Sequence, residues 1–294
     1  MVIPFTNYRG VVAVGLLFGL LKTIQCHNPR IKSYCRWPNP VYAGMFAAGI
    51  FNSLFCMYHE ILYYIYMKYQ LFTIMCMCQH VALLTVYFKL LLTDPEACTS
   101  SSVDEDTGRA HSILDVAEGK VSTSDYCQQC EIVKPRYAHH CRLCNCCFHE
   151  MDHHCLLLNK CVGRGTQRLF VLFLLICAVN MVTFVMLSTW YLYTEFSIFI
   201  VDARDIVVAI FNYYVFVWTM LLGNAVSLGW CMGMLMTQMW MISNGYLIAT
   251  MSNAHTKLTY RQCINNLIAF ALGNRVERNA YEAWPGKPYG IAPV

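Results

Sequence analysis

Charge is what this sequence lacks most. Lys, Arg, Asp and Glu make up 13% of its 294 residues, against about a quarter in an ordinary soluble domain. The deficit is local. From residue 206 to residue 256 there is no charged side chain of either sign. Such runs exclude an ordinary soluble domain and argue for several membrane spans, each needing about 20 apolar residues. A polybasic tract is also missing and the net charge is only +4, which tells against nucleic acid as a partner. No small-residue cleavage site follows the first apolar stretch closely, which tells against a removed leader. No internal repeat is apparent.

Apolar runs and their breaks set the organisation. Residues 10–24 are apolar, but fifteen residues of helix reach about 22 Å, short of a roughly 30 Å hydrocarbon core. They read as an uncleaved anchor, an interfacial helix or a short span. Arg30, Lys32 and Arg36 then form a basic loop, expected on the cytosolic side. Residues 41–67 and 71–92 are expected as the first two convincing spans, folded about a three-residue turn. That hairpin brings His59 and Glu60 level with Gln79 and His80, so a hydrogen-bonded clamp is expected there, with a role in substrate access as the other reading. Pro95 stops the second helix. Residues 94–126 read as a polar linker with one short helix near 113–118. Residues 168–193 and 206–243 are the third and fourth spans. The last is either one long tilted helix, a helix whose first turns lie on the membrane surface, or two pieces split near Gly223-Asn224. Asn244-Gly245 should end it.

The expected fold is therefore an all-α multi-pass membrane protein. A four-span helical bundle, with a fifth N-terminal span left open, carries a cytosolic zinc-binding cysteine-rich domain between spans two and three. The expected parts are an N-terminal segment 1–40, a hairpin 41–93, a linker 94–126, the cysteine-rich domain 127–167, a second span pair 168–243 and a cytosolic tail 244–294.

What the chain has in abundance is cysteine. Residues 127–161 hold eight of its 17 cysteines and five of its ten histidines. Paired thiols two residues apart suit a tetrahedral ion on one turn and point to zinc and reduced thiols rather than disulfides. Eight donors can be drawn for two structural zinc ions. His140 and Cys141 are neighbours whose side chains point apart, so the simplest solution interleaves the sites. One takes Cys127, Cys130, His140 and Cys147. The other takes Cys141, Cys144, His154 and Cys161. Unmetallated, the segment would have almost no core. Interleaved zinc also occurs in RING-type ubiquitin ligases, but those need no spare thiol. Here Cys146 and Cys155 are left over. With His154 on metal, His153 is free to act as a base, Asp152 can orient it, and Cys155 becomes a nucleophile whose thiolate an adjacent imidazole favours. Residues two apart on a helix do not face each other. Asp152 to Cys155 is therefore expected in a tight non-helical turn. The plainer reading makes Asp152 a helix cap and Cys155 a spare thiol.

These motifs resemble the DHHC family of protein S-acyltransferases. The tetrad is Asp152-His153-His154-Cys155. Lys134-Pro135-Arg136, His139-His140-Cys141 and the N-K-C-V-G run from Asn159 to Gly163 also fit, as does the four-span frame. The resemblance implies transfer of a fatty acyl group, palmitoyl above all, from acyl-CoA to cysteines of membrane-associated proteins through an acyl-Cys155 intermediate. His153 would move the proton, Asp152 would polarise it, and the acyl chain would lie among the spans, where Gly223, Ser227 and Gly229 leave room for it or serve close helix packing. Between Cys127 and Arg168 six basic residues face three acids. That excess, Lys134 and Arg136 included, suits CoA phosphates and anionic lipid headgroups alike.

The departures are specific. Leu156-Leu157 stands for the family's Pro-Trp, Asp94-Pro95-Glu96 for D-P-G, and Thr166 for an Asn. The T-T-x-E motif is blurred to Ala249-Thr250-Met251-Ser252. Asn266 stands near the place of the C-terminal Asn. These keep a second reading in view, a catalytically weak zinc-bearing scaffold. By analogy the expected location is the Golgi or endoplasmic reticulum, with the site on the cytosolic face.

Overall fold

The structure, a computed structural model, describes residues 40–66, 69–99, 113–120, 123–135, 137–199, 202–248, 258–274 and 276. The expectations for residues 10–24, for the basic loop after them and for residues 249–252 lie outside these. Helix α1 takes in Tyr42–Tyr66, α2 Gln70–Leu92, α3 Ile113–Ala117, α4 Gln167–Phe199, α5 Arg204–Ser243 and α6 Tyr260–Leu272. Between α3 and α4 run six short strands: β1 (Tyr126–Cys127), β2 (Ile132–Val133), β3 (His139–Cys141), β4 (Cys146–Phe148), β5 (His153–Cys155) and β6 (Lys160–Val162). The all-α expectation is corrected to this extent: the cysteine-rich segment is built of antiparallel hairpins. Among the described residues, α1, α2, α4 and α5 are the helices long and apolar enough to cross a membrane, with mean hydropathies of 1.2 to 2.7. This is an integral membrane protein.

The chain divides into two compact units. The first takes the described parts of Ala43–Lys89 and Leu172–Leu235. All four spans feed one apolar core here: Cys56, Met57, Ile61 and Ile65 of α1, Cys76 of α2, Phe184 and Tyr191 of α4, Val217 and Leu221 of α5. Polar side chains pair inside the bundle. His80 bonds to Tyr58 at 3.0 Å, Gln79 to Thr183 at 3.2 Å and Asn224 to Ser53 at 2.9 Å. The hairpin clamp is thus Tyr58–His80, while Glu60 bonds to its own neighbour His59 at 2.8 Å. A side chain exposed at the surface finds its partner on its own turn more readily than across the bundle. α5 runs through Gly223-Asn224 without a break, with one wide π turn at Ile210–Tyr214. A Cβ added at Gly223 or Gly229 would meet nothing within 4 Å, so close helix packing does not explain these glycines.

The second unit takes the described parts of Leu90–Val171 and Met236–Val294. Its strands form three hairpins, β1–β2, β3–β4 and β5–β6. They recur at a 14-residue period that the sequence reading missed. Cys127, Cys141 and Cys155 hold one register position, while Glu131, Asn145 and Asn159 hold the turn position, with φ of 56°, 53° and 49°. The left-handed turn residue is Asn in two of them, the usual non-glycine choice. Residues 96–98 then line the free edge of β4: Cys98 N–H donates to the Cys147 carbonyl at 2.8 Å and His149 N–H to the Glu96 carbonyl at 3.0 Å. Glu96 bears φ of +68°, in the left-handed region where the family's glycine would be at ease. Asp94 Oδ1 accepts its N–H at 2.8 Å, and its carboxylate pairs with Arg164.

At the C-terminal end of α5, Gly245 N–H donates to the Ile242 carbonyl and Tyr246 N–H to the Met241 carbonyl, with Gly245 at φ +70°. This is the glycine-terminated helix end expected at Asn244-Gly245. α6 begins with a reciprocal capping box between Thr259 and Gln262. Its Asn266 is buried and donates to the Ser243 carbonyl at 3.0 Å, tying α6 to the end of α5.

Candidate active site and metal centres

Successive side chains on a strand point to opposite faces, and this alternation builds the site. On β5 the middle residue, His154, points one way and His153 and Cys155 point the other. The expected tight turn at Asp152 to Cys155 is corrected: His153–Cys155 form a strand that Asp152 leads into, and the turn follows at Leu156 to Asn159. The non-helical requirement was right, and the period of two satisfies it more simply than a turn.

Each CxxC turn closes its metal group with the His and Cys that face each other on the next hairpin. His140 pairs with Cys147 across β3–β4, and His154 with Cys161 across β5–β6. The donors gather as Cys127, Cys130, His140, Cys147 and as Cys141, Cys144, His154, Cys161, all within 4.8 Å of one another in each group. His140 Nδ1 lies 3.4, 3.3 and 3.7 Å from Cys127, Cys130 and Cys147. His154 Nδ1 lies 3.5, 3.3 and 3.6 Å from Cys141, Cys144 and Cys161. Tetrahedral zinc at ordinary bond lengths sets sulfur and nitrogen about 3.5 Å apart, so these donors fit that ion. Both groups could hold a metal.

Cys155 belongs to neither group. It holds the register position of Cys127 and Cys141, yet Leu158 stands where Cys130 and Cys144 complete the earlier pairs. The third hairpin is a metal-binding turn with one ligand replaced, and its thiol is left over. Cys155 is 8% exposed. Beside it, His153 Nδ1 is 2.7 Å from Asp152 Oδ2 and its ring meets Phe170 edge-on at 5.3 Å. Among the described residues His153 Nε2 is buried without a hydrogen-bond partner of good geometry. Burial opposes the His153 imidazolium, but the interactions with Asp152 and Cys155 outweigh it and push the ring up to about 9. Asp152 Oδ2 also accepts from Gln238 Nε2 at 2.8 Å, and Oδ1 from the Ile248 N–H at 3.0 Å.

The remaining candidates fall differently. Lys134 is half-buried close to Asp125, whose carboxyl burial raises and Lys134 lowers. Arg136 lies outside the described residues. Three others of the basic set are engaged within the protein. Lys160 donates to the carbonyls of Leu90 at 3.2 Å, Leu91 at 2.9 Å and Thr93, at the end of α2. Arg164 pairs with Glu96, and Arg168 donates to the Asn274 carbonyl and lies over Phe270. Cys146 is half-buried; burial first and neighbouring thiolates next push it up to about 11. Sequence reasoning missed Lys160, Gln238 and Ile248. Only Gln238 left a signal, a buried-type amide within a run free of charge.

A multi-pass membrane protein with two interleaved Cys/His metal groups and one unligated thiol beside a carboxylate–imidazole pair defines the class: membrane-embedded proteins bearing a cysteine-rich, thiol-presenting zinc-type domain. Residues 120–257 match the family described as DHHC palmitoyltransferase. Among curated proteins no match is found.

Proposed function

We propose that this protein is an S-acyltransferase that works through an acyl-Cys155 intermediate. The observation that carries the reading is the separation of roles within one hairpin: His154 joins a metal group, while His153 and Cys155 share the other face with Asp152 behind them. In the first step Cys155 Sγ attacks the thioester carbon of a fatty acyl-CoA. A new carbon–sulfur bond forms, the bond to CoA breaks, and the thiol proton passes to His153 Nε2 and on to the departing CoA thiolate. In the second step a substrate cysteine attacks the acyl-Cys155 carbonyl carbon. Its proton passes through His153 to Cys155, which is regenerated. Asp152 holds Nδ1–H throughout and stabilises the imidazolium.

Two zinc ions bound by the eight donors would be structural and would fix the hairpin register. Lys134 and Arg136 are assigned to the CoA phosphates, and palmitoyl is the favoured acyl group, lying among the spans. The acceptors are cysteines of membrane-associated proteins at the cytosolic face, in the Golgi or endoplasmic reticulum. The alternative, a catalytically weak zinc-bearing scaffold, is favoured by Leu156-Leu157 and by the blurred segment at residues 249–252.

The test is transfer. The purified protein in lipid nanodiscs is given labelled palmitoyl-CoA and a vesicle-tethered peptide with one cysteine. Label should reach the peptide, be removed by hydroxylamine, and vanish with Cys155→Ser. Transfer by the Cys155→Ser protein would remove that thiol from the chemistry, and no transfer by the natural protein would leave the scaffold.

A further inference from the structure

Asp152 is almost wholly buried, 1% exposed, and three donors converge on it. His153 and Gln238 share Oδ2, at 2.7 and 2.8 Å, and the Ile248 N–H takes Oδ1 at 3.0 Å. Gln238 is itself 0% exposed, and its Oε1 is buried with no hydrogen-bond partner among the described residues. Burying half of an amide unsatisfied is costly. An apolar side chain of similar shape would avoid that cost. What Gln238 offers in return is its other end, the Nε2 donor on Oδ2.

A carboxylate held only by the Ile248 N–H is free to turn about its last torsion and present either oxygen, or neither, to the imidazole. Two donors on different oxygens remove that freedom. The donor is also neutral. A lysine or arginine there would compete for the carboxylate's charge and weaken its hold on the His153 imidazolium, whereas an amide fixes orientation and leaves the charge for the ring.

We propose that Gln238 is a positioning residue: its amide locks the Asp152 carboxylate so that His153 Nε2 is aimed at Cys155. This rests on the acyl-transfer reading of the same site. It adds to Asp152, His153 and Cys155 a fourth side chain, from α5, that touches neither acyl-CoA nor the reacting sulfur.

The test is a double-mutant cycle between Gln238→Met and Asp152→Asn, measured on the full-length protein in nanodiscs by two readouts. One is kcat and KM for acyl-CoA. The other needs no acyl-CoA: the rate of Cys155 alkylation by iodoacetamide, followed on the Cys155 peptide by mass spectrometry. Metal content and thermal unfolding report folding. Gln238→Met should lower kcat and the alkylation rate by about ten- to a hundredfold, the range for one hydrogen bond to a charged group, with KM unchanged. Added to Asp152→Asn it should lower neither rate further. Multiplying effects in the double variant, or a natural alkylation rate in Gln238→Met, would overturn the proposal. Should Gln238→Met lose metal, Gln238→Glu, which keeps the shape and sets a second carboxylate against Asp152, must show the same losses. If the natural protein transfers no acyl group yet alkylation still depends on Gln238 through Asp152, the acyl-transfer reading fails and the positioning role stands.

Discussion

Glu96, Gly163 and Gly165 show how tightly single residues are specified. A Cβ on Gly165 would lie 2.4 Å from the Asp94 carbonyl oxygen, and one on Gly163 2.8 Å from that of Pro95. Both contacts are with backbone, which cannot swing aside. Gly165→Ala should therefore destabilise the protein by about 1–3 kcal/mol, more than Gly163→Ala, as read by thermal unfolding. Lys160 is a second case. Its ammonium caps three carbonyls at the end of α2, and its Cα faces that of Cys155 across the hairpin. Lys160→Met should cost about 1–2 kcal/mol and slow the chemistry, with Lys160→Arg recovering part of both and the metal content unchanged. A thermal midpoint equal to the natural protein's would refute the capping role. The sequence named the donors and the tetrad because their chemistry is carried by residue type and spacing. Lys160 and Gln238 were not legible, since each owes its role to a partner some 70 or more positions away in the chain.

At the scale of the element, the hairpin is the unit. Its strands are two or three residues long, and the buried clusters around them are largely cysteine. Neither supplies enough apolar area to hold a fold, and ions bound by the two donor groups would supply what is missing. Because each group is shared between neighbouring hairpins, Cys127→Ala leaves all four donors of the other group in place. Metal analysis should then find one ion per chain against two expected for the natural protein, and complete loss would show the groups to be inseparable. The 14-residue period also predicts a gain of function. Leu158→Cys restores the pair Cys155-x-x-Cys, so micromolar zinc should protect Cys155 from alkylation in that variant and not in the natural protein. Protection in neither would break the equivalence of the three hairpins. Their period escaped the sequence reading because ligand replacement hid it: Leu158 breaks the pattern of pairs, and the turn position is Glu in one hairpin and Asn in two. The interleaving was legible because adjacent His140 and Cys141 cannot share an ion.

For the whole molecule, four crossings by the candidate spans would set the segment between α2 and α4 and the segment after α5 on one side of the bilayer, and the link between α4 and α5 on the other. A glycosylation acceptor placed at residues 200–202 should be modified in cells, and one in the segment 113–120 should not. Modification at both would end the four-span frame. The spans were legible because charge is missing from them over whole lengths. That α5 runs on unbroken was legible too, since a split at Gly223-Asn224 would leave almost no turn.

The central claim is that the register of three hairpins leaves one thiol free of metal and able to carry an acyl group. Peptide mapping of the metal-loaded protein after brief exposure to palmitoyl-CoA tests it most directly. One palmitoyl group should be found on Cys155, labile to hydroxylamine, with two zinc ions retained. Acylation confined to another cysteine, or an adduct that forms only once metal is lost, would contradict it.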